Sequence, residues 1–219
     1  MSPLDTSAAG SAFDGMFSAG TGHFVGPDGR VEHLDVGQWA GRSDLIDREL
    51  FTDLCTGPTL DLGCGPGRLL GDLLDRGVPA LGIDVSAEAI RRSRRRGALA
   101  LQLDVFDDVP GAGRWQHAML ADGNIGIGGD PVRLLQRVRQ LLAPRGTVFV
   151  EVAPLGSGLV REERRLHVAG ALSPSFPWAV VGLDSIGEVA RDAGLRVGDV
   201  RSAGGRHAVT LVSHPTPAA

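Results

Sequence analysis

The sequence predicts an α/β fold: a seven-stranded sheet, six strands parallel and the last antiparallel and inserted before the edge, with helices on both faces. Three observations carry this. From Pro58 onward, short runs that are apolar on nearly every residue alternate with amphipathic stretches, the pattern of strands buried on both faces and wound by right-handed crossovers. The first of these runs, TLDLGCGPGRLL from Thr59, breaks into three alternating glycines. The last two runs are joined across Gly204-Gly205, a link too short for anything but an antiparallel pair.

Residues 1–20, rich in Ser, Ala and Gly, offer little apolar surface to bury and read as a loose tail. Residues 21–57 read as a lid. Within it, Gly26-Pro27-Asp28-Gly29 separates two short apolar runs, a hairpin signal, and a helix is expected from about Ser43 to Cys55. The core, 58–219, places strands at Thr59–Leu62, Ala80–Ile83, Ala98–Leu103, His117–Leu120, Thr147–Val152, Leu195–Val200 and His207–Val212. Helices fall between them; in one, Val132, Leu135, Val138 and Leu142 repeat at helical spacing, and another covers Asp184–Ala193. Residues 153–182 interrupt the alternation with Pro174 and Pro177 and no clear period. An insertion of that length is expected to form part of a substrate wall.

Composition removes several function classes. The chain has 219 residues, 42% of them hydrophobic, and a net charge of −4, so nothing global points to nucleic acid or an anionic membrane. The run Arg91-Arg92-Ser93-Arg94-Arg95-Arg96 is expected to be a solvated helix face. No apolar run approaches the roughly 20 residues of a membrane span, and no secretory signal is evident, so a cytoplasmic monomer or homodimer is expected. Two cysteines, Cys55 and Cys64, fit a reduced compartment, and no metal is expected because no histidine pair has ligand spacing. All 22 basic residues other than histidine are Arg and tyrosine is absent, a compositional bias silent about activity.

Several ligands compete for a glycine loop between strand and helix. A phosphate-binding loop needs Lys after its last glycine, and the chain has no lysine. A dinucleotide fingerprint needs its third glycine at position 68, which is Arg. A turn that binds nothing seldom concentrates three glycines, each entropically costly. The segment LDLGCGPG does resemble motif I of the class I S-adenosylmethionine (SAM)-dependent methyltransferases. The stretches ADGNIGIGGDP and FPWAVVG are similar to actinobacterial members whose acceptors are undefined.

That resemblance implies a Rossmann-like methyltransferase sheet with SAM as cofactor and S-adenosylhomocysteine (SAH) as product. It implies Asp61 at the cofactor's ammonium group, Gly63, Cys64, Gly65 and Gly67 in the turn, Asp84 and Val85 at the ribose, and Asp104 and Val105 at the adenine. Ala121 and Asp122 then border the methionine end. Where such enzymes often carry Glu-His, this chain has Gly126-Ile127, so that histidine base is lost. The expected acceptor is a small molecule methylated on O or N, held by Trp39, Asn124, Arg161, His167 and Trp178, with His167 or Asp122 as candidate base. A SAM- or SAH-binding protein without transfer activity is the alternative reading.

Overall fold

The computed structural model describes residues 7–213. The chain opens with helix α1 (Ser7–Ala19), the hairpin β1 (His23–Val25) and β2 (Val31–His33), and the short helices α2 (Val36–Ala40) and α3 (Leu45–Leu50). It continues as β3 (Thr59–Leu62), α4 (Arg68–Asp75), β4 (Ala80–Asp84), α5 (Ala87–Arg95), β5 (Ala100–Gln102), β6 (Trp115–Leu120), α6 (Pro131–Leu141) and β7 (Leu142–Val152). Then come β8 (Leu159–Val168), β9 (Ala171–Leu172), β10 (Phe176–Val181), α7 (Ile186–Asp192), β11 (Leu195–Ala203) and β12 (Arg206–Ser213).

The main sheet has the order β11-β12-β7-β6-β3-β4-β5. Only β12 runs antiparallel to its neighbours, lying between β7 and the edge strand β11, as the alternation of the sequence predicts. Every residue of β3 is buried. Leu60 and Leu62 join Leu134, Leu135 and Val189 of α6 and α7 on one face, while Met119 and Phe149 pack with Leu50, Leu69 and Leu73 of α3 and α4 on the other. The parallel strands therefore all deliver their C-terminal ends to one edge, where chain reversal leaves backbone groups free for a ligand.

Residues 7–19 correct the tail reading: they form a helix, with Met16 fully buried and Phe17 4% exposed. Ala9, Phe13 and Phe17, with Ala12 and Met16 beside them, recur at helical spacing, and this stripe outweighs the flexible composition around it. Asp14 fastens α1 to the main domain by accepting hydrogen bonds from Ser86 Oγ (2.6 Å) and Glu88 N (2.9 Å) at the start of α5.

The insertion is likewise no irregular loop. Its strands join the lid hairpin in a second, antiparallel sheet of order β10-β8-β1-β2, with β9 on β8. The register sets Phe24 opposite Leu166 and Phe176 opposite Arg164. Because cross-strand partners share a face, Phe24, Leu166, Phe176 and Trp178 point inward together and pack under α1. No helix among the described residues is long and apolar enough to cross a membrane.

Truncating Met16 to Ala in α1 is expected to lower stability by about 2 to 4 kcal/mol, the usual cost of a cavity at a fully buried site. Denaturant unfolding of the variant measures this; an unchanged midpoint would mean that α1 is not part of the folded unit.

Candidate functional site

The opened loop after β3 is built from three glycines with positive φ, Gly63, Gly65 and Gly67. Two are required by contacts as well as dihedrals. A Cβ on Gly63 would lie 2.6 Å from Nδ2 of Asn124, and one on Gly67 would run into Ser93 of α5. The loop is thus pressed between β6 and α5 and cannot accept a side chain at either point.

Beside it, at the end of β4, Asp84 accepts hydrogen bonds from Gly65 N (2.9 Å) and Ser86 N (2.8 Å), one on each carboxylate oxygen. Its remaining lone pairs face a pocket that Gly63, Cys64, Gly65, Val85, Asp104, Val105, Asp122 and Asn124 also line. Burial raises the Asp84 pKa to about 6 despite those two backbone donors. Asp61 is 2% exposed beneath the loop, and its pKa is pushed to about 7, first by burial and then by the charge of Asp122, against the pull of Arg68. Burial also holds Cys64 as a neutral thiol. Asp104 Oδ1 accepts from Phe106 N at 2.9 Å and so shapes the turn after β5.

Asp122 follows β6 with φ of +52°, rare for a residue bearing a Cβ. Its conformation is held on two sides. Its N–H donates to Glu151 Oε2 (2.6 Å), and its carboxylate accepts from Arg68 Nη2 at 2.8 and 2.6 Å. Arg68 also pairs with Asp47 of α3, and Arg206 at the start of β12 reaches Asp47 (2.7 Å), Glu151 (2.8 Å) and Asp122 (3.3 Å). Burial would raise the Asp47 carboxyl, but hydrogen bonds from Arg68 and Arg206 hold it below the usual range. Burial lifts Asp122 above its ordinary value despite Arg68. Asp122 is therefore a positioned anion with both oxygens occupied, a poor base.

The structure brings most of the sequence candidates to one pocket and separates others. Trp39 and Trp178 line it. Asn124 lines it too, but its Nδ2 donates to the carbonyls of Leu62 (3.0 Å) and Gly63 (2.9 Å), so this amide braces the glycine loop. Gly67, Asp61 and Ala121 support the pocket from below and behind without forming its surface. Arg161 and His167 are corrected: both lie on the face of β8 opposite Leu166. There the His167 ring lies 4.7 Å from that of His23 with the planes tilted by 45°, outside the pocket lining. Sequence reasoning missed Phe13 and Phe17 of α1, Phe24 of β1 and the buried Arg68, which all line the pocket. Their signal was the i, i+4 aromatic pair in α1 and a charged residue inside an otherwise apolar helix start.

Among the described residues no cluster of three or more His, Cys, Asp or Glu could hold a metal ion. The fold is similar to that of a SAM-dependent methyltransferase from Bacteroides fragilis solved with SAH, with a TM-score of 0.77, 19% identity and 98% of each chain covered. It is also similar to the 1,6-didemethyltoxoflavin-N1-methyltransferase of Burkholderia thailandensis, with a TM-score of 0.64, 18% identity, and 98% and 93% of the two chains covered. A tabtoxin biosynthesis enzyme of Pseudomonas amygdali pv. tabaci is 38% identical over 65 residues, 30% of this chain and 26% of that protein, so the chain matches about a quarter of the length of this curated relative. The match to the methyltransferase domain family spans residues 32–200, from β2 through β11, and the chain accordingly belongs to that family.

Proposed function

We propose that the protein transfers a methyl group from SAM to a nitrogen or oxygen of a small-molecule acceptor. The observation that carries this reading is Asp84: both carboxylate oxygens are fixed by backbone N–H groups at the end of β4, beside a three-glycine turn, in a pocket that continues into an aromatic chamber. The residues fit the cofactor: Asp84 suits ribose hydroxyls, Asp104 and Val105 an adenine edge, and Asp61 an ammonium group. When bound, SAM supplies an electrophilic methyl on a sulfonium centre. The neighbours in the fold agree in kind, since both hold SAH and one is an N1-methyltransferase of 1,6-didemethyltoxoflavin.

The chain's own contribution is alignment and exclusion of water. Arg68 and Glu151 hold Asp122 in its unusual conformation beside Asn124, which in turn fixes the loop carrying Gly63. Helix α1 and the second sheet close the acceptor side. His167 lies on the wrong face of β8 and Asp122 is tied to arginine, so the acceptor arrives as its own nucleophile. Incubation with labelled SAM and a fractionated metabolite extract tests the reading, and appearance of a methylated mass is the expected result. No methylated product from a protein that binds SAM would favour a binding protein without transfer activity.

Replacing Asp84 by Asn is expected to weaken SAM binding by about 1 to 3 kcal/mol, through loss of charge-assisted hydrogen bonds. Calorimetry that detects equal affinity would remove Asp84 from the cofactor site.

Asp61 generates a pH dependence. Below about 7 it is protonated in the free protein and no longer attracts an ammonium group, so SAM affinity is expected to fall as pH is lowered from 8 to 6. In Asp61→Asn that fall is expected to shrink. Stability has the opposite sign. The folded chain holds this proton more tightly than the unfolded one, whose value is near 3.8, so its contribution is lost as pH rises through about 7. At pH 8 the Asn variant should bind SAM more weakly yet unfold at higher denaturant than the wild type. Coincident losses of both would show that Asp61 is structural.

A further inference from the structure

The wall facing the glycine loop consists of Phe13 and Phe17 from α1, Phe24 from β1, Trp39 from α2, and Phe176 and Trp178 from β10. These are six of the ten aromatic residues in a chain without tyrosine. Their rings form one connected box, with centroids 5.9 Å apart for Phe13 and Phe176, 5.8 Å for Phe24 and Trp178, and 6.4 Å for Phe17 and Trp39. Ile127 and Pro177 complete it. None of these side chains is an acid or a base. The charged residue behind them, Arg164, is neutralised by Glu162 at 2.6 Å and lies against the Phe24 ring, 4.9 Å from its centroid. Among the described residues neither Trp39 nor Trp178 donates its indole N–H to a protein acceptor, whereas Trp115 donates its own to Pro110 O.

We propose that the acceptor is a planar aromatic nitrogen heterocycle, methylated on nitrogen while in its neutral form. This rests on the methyl-transfer reading above and narrows it. Flat π-faces at these separations favour a ring that stacks or meets them edge-on. An aliphatic amine would arrive protonated, and an aliphatic hydroxyl would need a base; the wall has none to offer either. Charge decides between nitrogen and oxygen. In the transfer, the nitrogen lone pair forms the new N–C bond as the C–S bond breaks and its electron pair stays on sulfur, leaving a thioether. Positive charge therefore moves from sulfur onto the acceptor, and a nitrogen that carried hydrogen releases its proton to water. Ring faces are the negative side of an aromatic quadrupole, so they stabilise a cation growing among them and disfavour an oxyanion held there beforehand.

The test uses the full-length protein saturated with SAH, with SAH binding first measured by calorimetry. Benzimidazole, quinoline, cyclohexylamine and benzoate are then titrated, read by calorimetry and by tryptophan fluorescence. The two heterocycles are expected to bind at least tenfold more tightly than cyclohexylamine or benzoate and to quench fluorescence. Trp178→Leu should weaken them at least fivefold while SAH affinity stays unchanged; Phe13→Leu, in a different element, should do the same. Cyclohexylamine or benzoate binding as well as the heterocycles, or both variants binding them like the wild type, would overturn the inference and leave SAM binding intact. Failure to bind SAH would overturn the methyl-transfer reading and this inference with it.

Discussion

The ion network around Arg68 is the constraint on which the site depends. Arg68 is 4% exposed at the head of α4, and its guanidinium reaches Asp122 after β6 and Asp47 in α3. Arg206 binds the same two carboxylates from β12 and adds Glu151 of β7. Five side chains from five elements thus meet at the edge where the parallel strands end. Desolvating this many charges is costly, and an apolar replacement of the whole set could be as stable. Loss of one member is different: it strands a buried charge, at a cost of about 3 to 5 kcal/mol. What the network secures is placement. The lid helix α3, the glycine-loop helix and the loop at Asp122 cannot shift independently while these bonds hold.

Three carboxylates against two arginines leave the network one negative charge in excess when all are ionised; the buried Asp61 lies beside it, and the half-buried Asp84 faces the same pocket. Both are raised well above the ordinary aspartate value. A folded domain gains nothing by gathering such groups, because each is held in the protonation state that burial rather than its own acidity selects. The arrangement is intelligible as a site prepared for a cation. The positive φ at Asp122 and the three left-handed glycines are local departures of the same kind, concentrated where the ligand approaches and supported by the regular sheet beneath.

The glycine-loop half of the candidate site was legible in the sequence because its determinants are local: a strand of four buried residues, a glycine turn that must follow it, and an acid one strand later at the same sheet edge. The aromatic half was not, for reasons specific to its residues. In β8, LVREERRLHV, two of the residues that point inward are Glu162 and Arg164; their ion pair lets charged side chains occupy buried positions and erases the alternation that marks a strand. Pro177 interrupts β10 in the same way. Parity then sends neighbours to opposite faces, so Leu166 packs into the core and His167 beside it does not. In α1 the composition of Ser, Ala and Gly concealed Ala12, Met16 and Phe17. Asn124 lines the pocket, but its amide serves the loop backbone, a partnership between residues 61 and 62 positions apart that no local pattern reveals.

The division into two sheets also separates the two recognition tasks. The glycine-loop side of the pocket comes from loops at the C-terminal edge of the main sheet, whose spacing is set by strand pairing and by the Arg68 network. The aromatic wall comes from the inner face of the second sheet and from α1 and α2, with side chains separated in sequence by more than 150 residues. The second sheet has its own hydrogen-bond register, and Trp178 meets the main domain at Ile127. The sheet joins the main domain through the bridges Ile127–Trp178 and Ala153–Gly182, through Ala89 of α5 packed in the aromatic cluster, and through hydrogen bonds from Ser86 and Glu88 to Asp14 and from Arg96 to the Ala40 carbonyl. The aromatic wall and the Asp84 side of the pocket are thus carried by separate sheets, joined through α1 and residues 124–127.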